Sequence, residues 1–129
     1  VVVARIQKTP CYGNCPVFEA KVFSNGLVLF DGKENTDRLG LHEAYMLQSQ
    51  MDSLLTQATA IDFFKMNANY PANGKQLYDL PSTILFVKQE DQEKEITNNH
   101  GAPKGLKAYE ALFLDMLNRL DWRSVDEVD

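Results

Sequence analysis

Residues 11–32, CYGNCPVFEAKVFSNGLVLFDG, decide the fold of this chain. They begin as a short loop with two cysteines and continue into two alternating apolar segments that meet at Asn25-Gly26. Asn-Gly in this setting predicts a β-hairpin with a type I′ turn, because Asn and Gly tolerate the positive φ angles that the turn requires. A two-cysteine loop therefore lies at the base of a well-specified hairpin.

Segments on either side of the hairpin give the remaining elements. Residues 1–8 alternate as a half-buried strand, residues 82–88 form an apolar run typical of a strand buried on both faces, and residues 94–97 form a weaker strand. Apolar side chains three and four positions apart predict two helices, beginning near Leu41 and Leu106. The sequence thus predicts an α+β fold in the order βββαββα. Its mostly antiparallel sheet would have about five strands, with two helices packed on one face.

Length and composition favour one domain. The chain has 129 residues, of which 44% are apolar, and this is enough for a single core. We expect the domain to cover residues 1–123, with residues 124–129 as a frayed acidic tail. Residues 66–80 lack periodicity and predict a long surface connection, a kind of segment that often carries function.

Charge and hydropathy exclude several classes of protein. The net charge is −5 and there is no run of basic residues, so a nucleic-acid partner is not expected. The sequence contains no apolar stretch long enough for a transmembrane helix and no recognisable signal peptide. The first residue is Val1 and not Met, so we expect that any targeting segment precedes this sequence and is absent from it.

Cys11 and Cys15 allow four interpretations. A turn over three intervening residues can bring their Cα atoms within disulfide range, and a structural disulfide is the preferred interpretation. An exchangeable redox pair is less favoured, because the spacer is not the two-residue spacer of thioredoxin-like sites. A metal site would need two more ligands, and His42 and His100 lie far away in sequence. Two ordinary reduced thiols are the remaining alternative.

Other chemistry-bearing residues give weaker signals. His100 precedes a helix start where an anion could bind, although a solvated loop histidine is the simpler interpretation. His42 is expected on the surface of a first helical turn, and Asp79 in a turn or cap. One group of acidic residues could attract a cation, although a solvated hairpin tip is the simpler interpretation. This group comprises Glu90, Asp91, Glu93 and Glu95. Four aromatic residues could line a groove, although packing in the core is the simpler interpretation. These residues are Phe63, Phe64, Tyr70 and Tyr78.

The stretch Cys11-Tyr12-Gly13-Asn14-Cys15-Pro16 resembles the signature Cys-Tyr-Gly-x-Cys-Pro of a bacterial family of unknown function, which continues with an aromatic residue. The resemblance extends over nearly the whole chain, through Ser24-Asn25-Gly26, Phe30-Asp31-Gly32, Asp79-Leu80-Pro81 and Gly101-Ala102-Pro103 with Leu106. Phe18 stands where the family usually has Tyr, and Asn25 where Asp is common. The resemblance implies an exported or lipid-anchored envelope protein, and it implies no catalytic residue.

These observations lead to one preferred function and one alternative. We expect a non-enzymatic, extracytoplasmic binding or structural module of a bacterial envelope protein, without a cofactor or metal. Its partner would be a protein or small ligand of the cell envelope, contacted by a loop cluster or by the mixed outer face of the sheet. The candidate binding loop comprises Tyr12, Asn14, Tyr70, Tyr78 and His100. The alternative is a thiol-based redox or metal-handling protein that uses Cys11 and Cys15.

Overall fold

A computed structural model describes residues 1–125. Within these residues the chain forms a mixed α+β domain with two helices and one eight-stranded sheet, so the predicted fold class is confirmed. The strands are β1 (Val2–Lys8), β2 (Val17–Phe23), β3 (Leu27–Glu34), β4 (Gly40–Tyr45), β5 (Asn69–Tyr70), β6 (Thr83–Gln89), β7 (Gln92–Asn98) and β8 (Arg123–Ser124). The helices are α1 (Gln48–Ala60) and α2 (Lys104–Asn118), and a short 3-10 helix covers Phe63–Lys65.

The strands lie in the order β5-β7-β6-β1-β2-β3-β4-β8. Every neighbouring pair is antiparallel except β5 and β7, which are parallel. The predicted count of about five strands and the predicted element order are therefore wrong. Two of the additional strands, β5 and β8, have only two residues each, too few to show a periodic pattern.

One face of the sheet carries the core. Alternate positions of the long strands are buried together with the inner faces of both helices, as in a two-layer sandwich. Tyr109 joins α2 to α1 and to the 3-10 helix, because its hydroxyl donates to the carbonyl of Leu54 at 2.9 Å and its ring packs 5.9 Å from that of Phe63. The opposite face is open and mixed. Arg5 lies there between Glu19 and Glu95, with ion pairs to both.

The predicted start of the first helix near Leu41 is wrong. Residues 40–45 form β4, and α1 begins at Gln48. His42 consequently lies in a strand and not in a helical turn, with its Nδ1 atom 3.4 Å from the carbonyl oxygen of Gly40. Ala44 opens the helical stripe that continues through Leu47 and Met51, but in the structure it is buried in β4, opposite Val28.

Two other details differ from the expectations. The hairpin turn at Asn25-Gly26 exists, but only Gly26 has a positive φ, and Gly26 N donates to Phe23 O at 2.9 Å. This is the three-residue hairpin in which a turn is followed by a left-handed glycine, and not a type I′ turn. In β6, Ile84 and Phe86 are partly exposed, so this strand is not buried on both faces.

The end of the chain is only partly described. Ser124, placed at the start of the predicted tail, pairs with His42 in β8. Residues 126–129 of that tail lie outside the described residues. Within residues 1–125, no helix is sufficiently long and apolar to cross a membrane.

Candidate functional site

The loop between β1 and β2 contains a covalent bridge. The sulfur atoms of Cys11 and Cys15 are 2.05 Å apart, and the Cα atoms are 5.8 Å apart. Pro10 ends β1 because proline has no amide hydrogen for the sheet, and Pro16 precedes the first residue of β2. The bridge therefore closes a short loop at the end of two central strands.

Hydrogen bonds attach this loop to its neighbours on both sides. The Tyr12 amide donates to the carbonyl of Asp79 at 3.5 Å. On the other side, Asn35 Nδ2 donates to the carbonyl of Cys15 at 3.1 Å. The cysteine loop thus connects the loop after β3 with the long connection before β6.

Asn99 holds the long connection from the opposite side. Its Oδ1 atom accepts a hydrogen bond from the Leu77 amide at 2.7 Å. Its Nδ2 atom donates to the carbonyls of Leu77 and Leu80 and to Ser82 Oγ, at 3.2, 3.4 and 3.3 Å. A single amide side chain therefore fixes the end of this connection, while the side chains of Leu77 and Leu80 remain exposed.

The surface built on this framework is apolar. Tyr12 and Tyr78 have 83% and 81% of their surface exposed, and Leu77 and Leu80 are also exposed. These four residues form what we call the loop-end patch: Tyr12, Leu77, Tyr78 and Leu80. Clustered exposed apolar residues on loops that a scaffold holds in place are typical of a contact surface.

The candidate binding residues separate into two groups. Tyr12, Asn14 and Tyr78 are exposed, and the Tyr12–Asp79 hydrogen bond places their loops side by side. Tyr70 is instead buried, with its hydroxyl oxygen accepting from the Asn67 amide at 3.3 Å. His100 is partly buried, and its amide donates to the carbonyl of Tyr70 at 3.4 Å. Tyr70 and His100 are thus linked to each other by a hydrogen bond and are less accessible to a partner than the three exposed residues.

Sequence reasoning missed Leu77, Leu80 and Asn99. The two leucines lie within a segment without periodicity, and Asn99 looks like any polar turn residue until its partners are known. Their contribution depends on which strands are neighbours, and the pattern of the sequence does not give that order.

The two-cysteine bridge should contribute measurably to stability. In the chain-entropy description, closing so short a loop restricts the unfolded chain by roughly 2 kcal/mol. We expect the double variant Cys11→Ser/Cys15→Ser to melt roughly 5–10 °C below the wild type, measured by calorimetry without reductant. Wild-type protein treated with reductant is the control and should melt near the temperature of the variant. A wild-type melting temperature that reductant leaves unchanged would contradict a stabilising bridge.

A polar cluster lies beneath the same end of the sheet. Asn98 Nδ2 donates to Glu110 Oε2 at 2.8 Å, and Lys8 Nζ donates to Thr83 Oγ1 at 2.7 Å. Burial raises the pKa of the Glu110 carboxyl, although hydrogen bonds from Asn98 and Thr83 and the positive charges of Lys8 and Lys107 act in the opposite direction. These side chains come from β1, β6, β7 and α2, so no local motif could reveal the cluster.

Glu110 should make stability depend on pH. Folding raises the pKa of the Glu110 carboxyl. Its favourable contribution to the free energy of unfolding is therefore complete below the unfolded pKa of about 4.3, and it is lost as the pH rises through the folded pKa. We therefore expect the melting temperature of Glu110→Gln, relative to the wild type, to increase between about pH 4 and pH 8. Thermal melts at a series of pH values measure this difference. The exposed Glu93→Gln is the matched control, and a flat difference for Glu110→Gln would refute the expectation.

The remaining candidate residues from the sequence do not lie at the loop-end patch. Glu90 and Asp91 are exposed in the turn between β6 and β7, at the opposite end of the sheet from Thr83 and Asn98. Phe63 is fully buried and Phe64 is partly buried. Within residues 1–125 there is no group of three or more His, Cys, Asp or Glu side chains arranged to hold a metal ion.

Comparison with family models identifies the family of this chain. The family model of a domain of unknown function, DUF6438, matches residues 3–117. No curated protein sequence matches the chain. The matched range includes the cysteine loop, the long connection and nearly all of α2. This protein therefore belongs to the DUF6438 family.

Proposed function

We propose that this protein is a non-enzymatic, extracytoplasmic binding module of a bacterial envelope protein, and that it contacts a protein partner through the loop-end patch. The observation that carries the proposal is the exposure of Tyr12 and Tyr78 on two adjacent loops that are joined by the hydrogen bond from the Tyr12 amide to the Asp79 carbonyl. Tyrosine is enriched among the residues that dominate protein interfaces, because it combines a large apolar surface with a polar group.

The framework beneath the patch supports this proposal. Binding is stronger when the contacting loops are ordered beforehand, since less conformational entropy is then lost. The Cys11–Cys15 bridge restricts one loop, and the four hydrogen bonds of Asn99 restrict the other. Leu77 and Leu80 add aliphatic surface beside the tyrosines, which favours a protein partner with an apolar patch of its own.

The bridge also supports the proposed compartment. Disulfides persist in secreted, periplasmic and cell-surface proteins, whereas cytosolic thiols are kept reduced. Both cysteines of the chain are in the bridge. A bridge at the root of the contact surface would be of use only where it stays oxidised.

Site-specific photo-cross-linking in the native cells tests the proposal. A photoreactive phenylalanine derivative at position 12 or 78 is expected to give one discrete adduct of the same mass increase from both positions. The matched control is position 45, where Tyr45 is 65% exposed at the other end of the sheet. Adducts from position 45 alone, or none from positions 12 and 78, would overturn the proposal.

Truncation of the tyrosines measures their contribution to binding. Once the cross-linked partner is identified, Tyr12→Ser and Tyr78→Ser should each weaken its binding about tenfold or more, as expected for an interface hot spot. Tyr45→Ser is the control and should leave the affinity unchanged. Both patch tyrosines are exposed, so we expect the melting temperature to remain within a few degrees of the wild type.

A further inference from the structure

Arg38 occupies an unusual position for a charged side chain. Its guanidinium carbon lies 4.7 Å from the ring centre of Phe30 and 5.1 Å from that of Trp122. The Nη2 atom makes a long contact, 3.4 Å, with Asn118 Oδ1. The Nε atom is buried and has no hydrogen-bond partner among the described residues. A buried donor without a partner is costly, and such a group in a native protein calls for an explanation.

A cavity of about 140 Å³ lies beside this guanidinium. Its apolar wall comes from β2, β3 and α2, and its polar wall comes from the loop after β3 and the end of α2. The lining residues are Phe18, Phe30, Thr36, Arg38, Leu114, Leu117 and Asn118. An apolar cavity of about 150 Å³ is known to accommodate benzene, so this volume suits a body of roughly one six-membered ring.

The two halves of the cavity define the ligand that would fit. The apolar wall favours a hydrocarbon group, and the guanidinium, whose Nη2 atom lies at the long distance of 3.4 Å from Asn118 Oδ1, favours a planar anion that can accept two hydrogen bonds. We propose that this cavity binds a small monocarboxylate with an apolar body, with the carboxylate on Arg38 and the body against Phe18 and Leu117. The proposal concerns a site separate from the loop-end patch and does not depend on the proposed function.

A purely structural role for Arg38 gives a different expectation. In that case Arg38 only stacks on the two rings and contacts Asn118. The protein would then bind a carboxylate no more tightly than a neutral analogue. The aromatic contacts alone do not explain why a guanidinium group forms part of the wall of this cavity. Selectivity for charge therefore distinguishes a ligand site from a packing arrangement.

Titration with benzoate, followed by the fluorescence of Trp122, tests the proposal directly. Trp122 is the one tryptophan in the sequence and lies against Arg38, so its emission reports on this site. Benzoate is expected to give a saturable change in fluorescence. The isosteric neutral benzamide should bind at least about tenfold more weakly, because charge-assisted hydrogen bonds are lost. Equal binding of the two, or no saturable benzoate response up to about 50 mM, would overturn the proposal.

Two variants test the two walls separately. Arg38→Met should weaken benzoate binding about tenfold or more while leaving benzamide binding nearly unchanged. Leu114→Phe should remove binding of both compounds by filling the cavity, whose wall includes Leu114. Arg123→Met is the control for loss of one positive charge, since Arg123 lies outside the cavity lining. Benzoate binding that survives Arg38→Met, or that survives Leu114→Phe, would contradict the site. If either variant fails to fold, the comparison of benzoate with benzamide on the wild type still tests whether the cavity selects a carboxylate.

Discussion

Replacement of Gly32 by Ala is expected to destabilise the protein by at least about 3 kcal/mol, an effect at the upper end of those seen for overpacking. Gly32 is buried in β3 and lies opposite Gly40 in β4. A Cβ atom at this position would lie 1.7 Å from the carbonyl oxygen of Arg38 and 2.8 Å from its carbonyl carbon. Both are backbone atoms, so a rotamer change cannot relieve the clash. The whole loop after β3 would have to move.

Gly13→Ala is the matched control for this substitution. The nearest atom to a Cβ at position 13 is Cys11 Sγ, at 3.9 Å, which is an ordinary contact. We expect this variant to lose no more than about 0.5 kcal/mol. Urea unfolding of the two variants measures the difference. A Gly32→Ala variant as stable as Gly13→Ala would show that the loop carrying Arg38 does not pack on β3 as described.

Phe63→Ala should lower the free energy of unfolding by about 3–5 kcal/mol, because a large cavity would open in the core. Phe63 is completely buried in the short 3-10 helix, and its ring lies 5.9 Å from the rings of both Phe64 and Tyr109. This loss is a large part of the 5–15 kcal/mol that a domain of this kind typically has.

The neighbouring Phe64 provides a matched comparison. It is the same residue type in the same 3-10 helix, but it is only partly buried at the edge of the core. Phe64→Ala should therefore cost clearly less than Phe63→Ala, about 1–2 kcal/mol. Denaturant unfolding of both variants is the measurement. Equal losses would indicate that the 3-10 helix does not direct one ring inward and the other outward.

The sequence predicted those elements that are long and regular. The hairpin of β2 and β3 follows from alternation around Asn25-Gly26, and α2 follows from an apolar stripe that starts at Leu106. In β4, by contrast, Ala44 matched the helical spacing of the residues that follow it, although it lies in a strand. The local pattern could not decide, and pairing with β3 determines the outcome. Propensity and periodicity are weak guides wherever tertiary contacts choose between two structures.

The candidate site was less accessible to prediction than the fold. Tyr12 and Tyr78 could each be recognised as loop residues, but their proximity depends on β1 lying next to β6. That adjacency crosses two long connections, so it cannot be derived from local pattern. The cluster around Glu110 and the Arg38 cavity were missed for the same reason. Each is assembled from elements far apart in sequence, and none of their residues forms a motif.

The oxidised state of Cys11 and Cys15 in the native cells is the feature on which the proposed compartment and the ordered loop-end patch both depend. It can be measured by quenching the cells with acid, alkylating free thiols under denaturing conditions and recording the intact mass of the protein. We predict a species without alkyl groups, to which two are added only after reduction. A protein that carries two alkyl groups before reduction would contradict the extracytoplasmic binding module and would favour a reduced thiol pair.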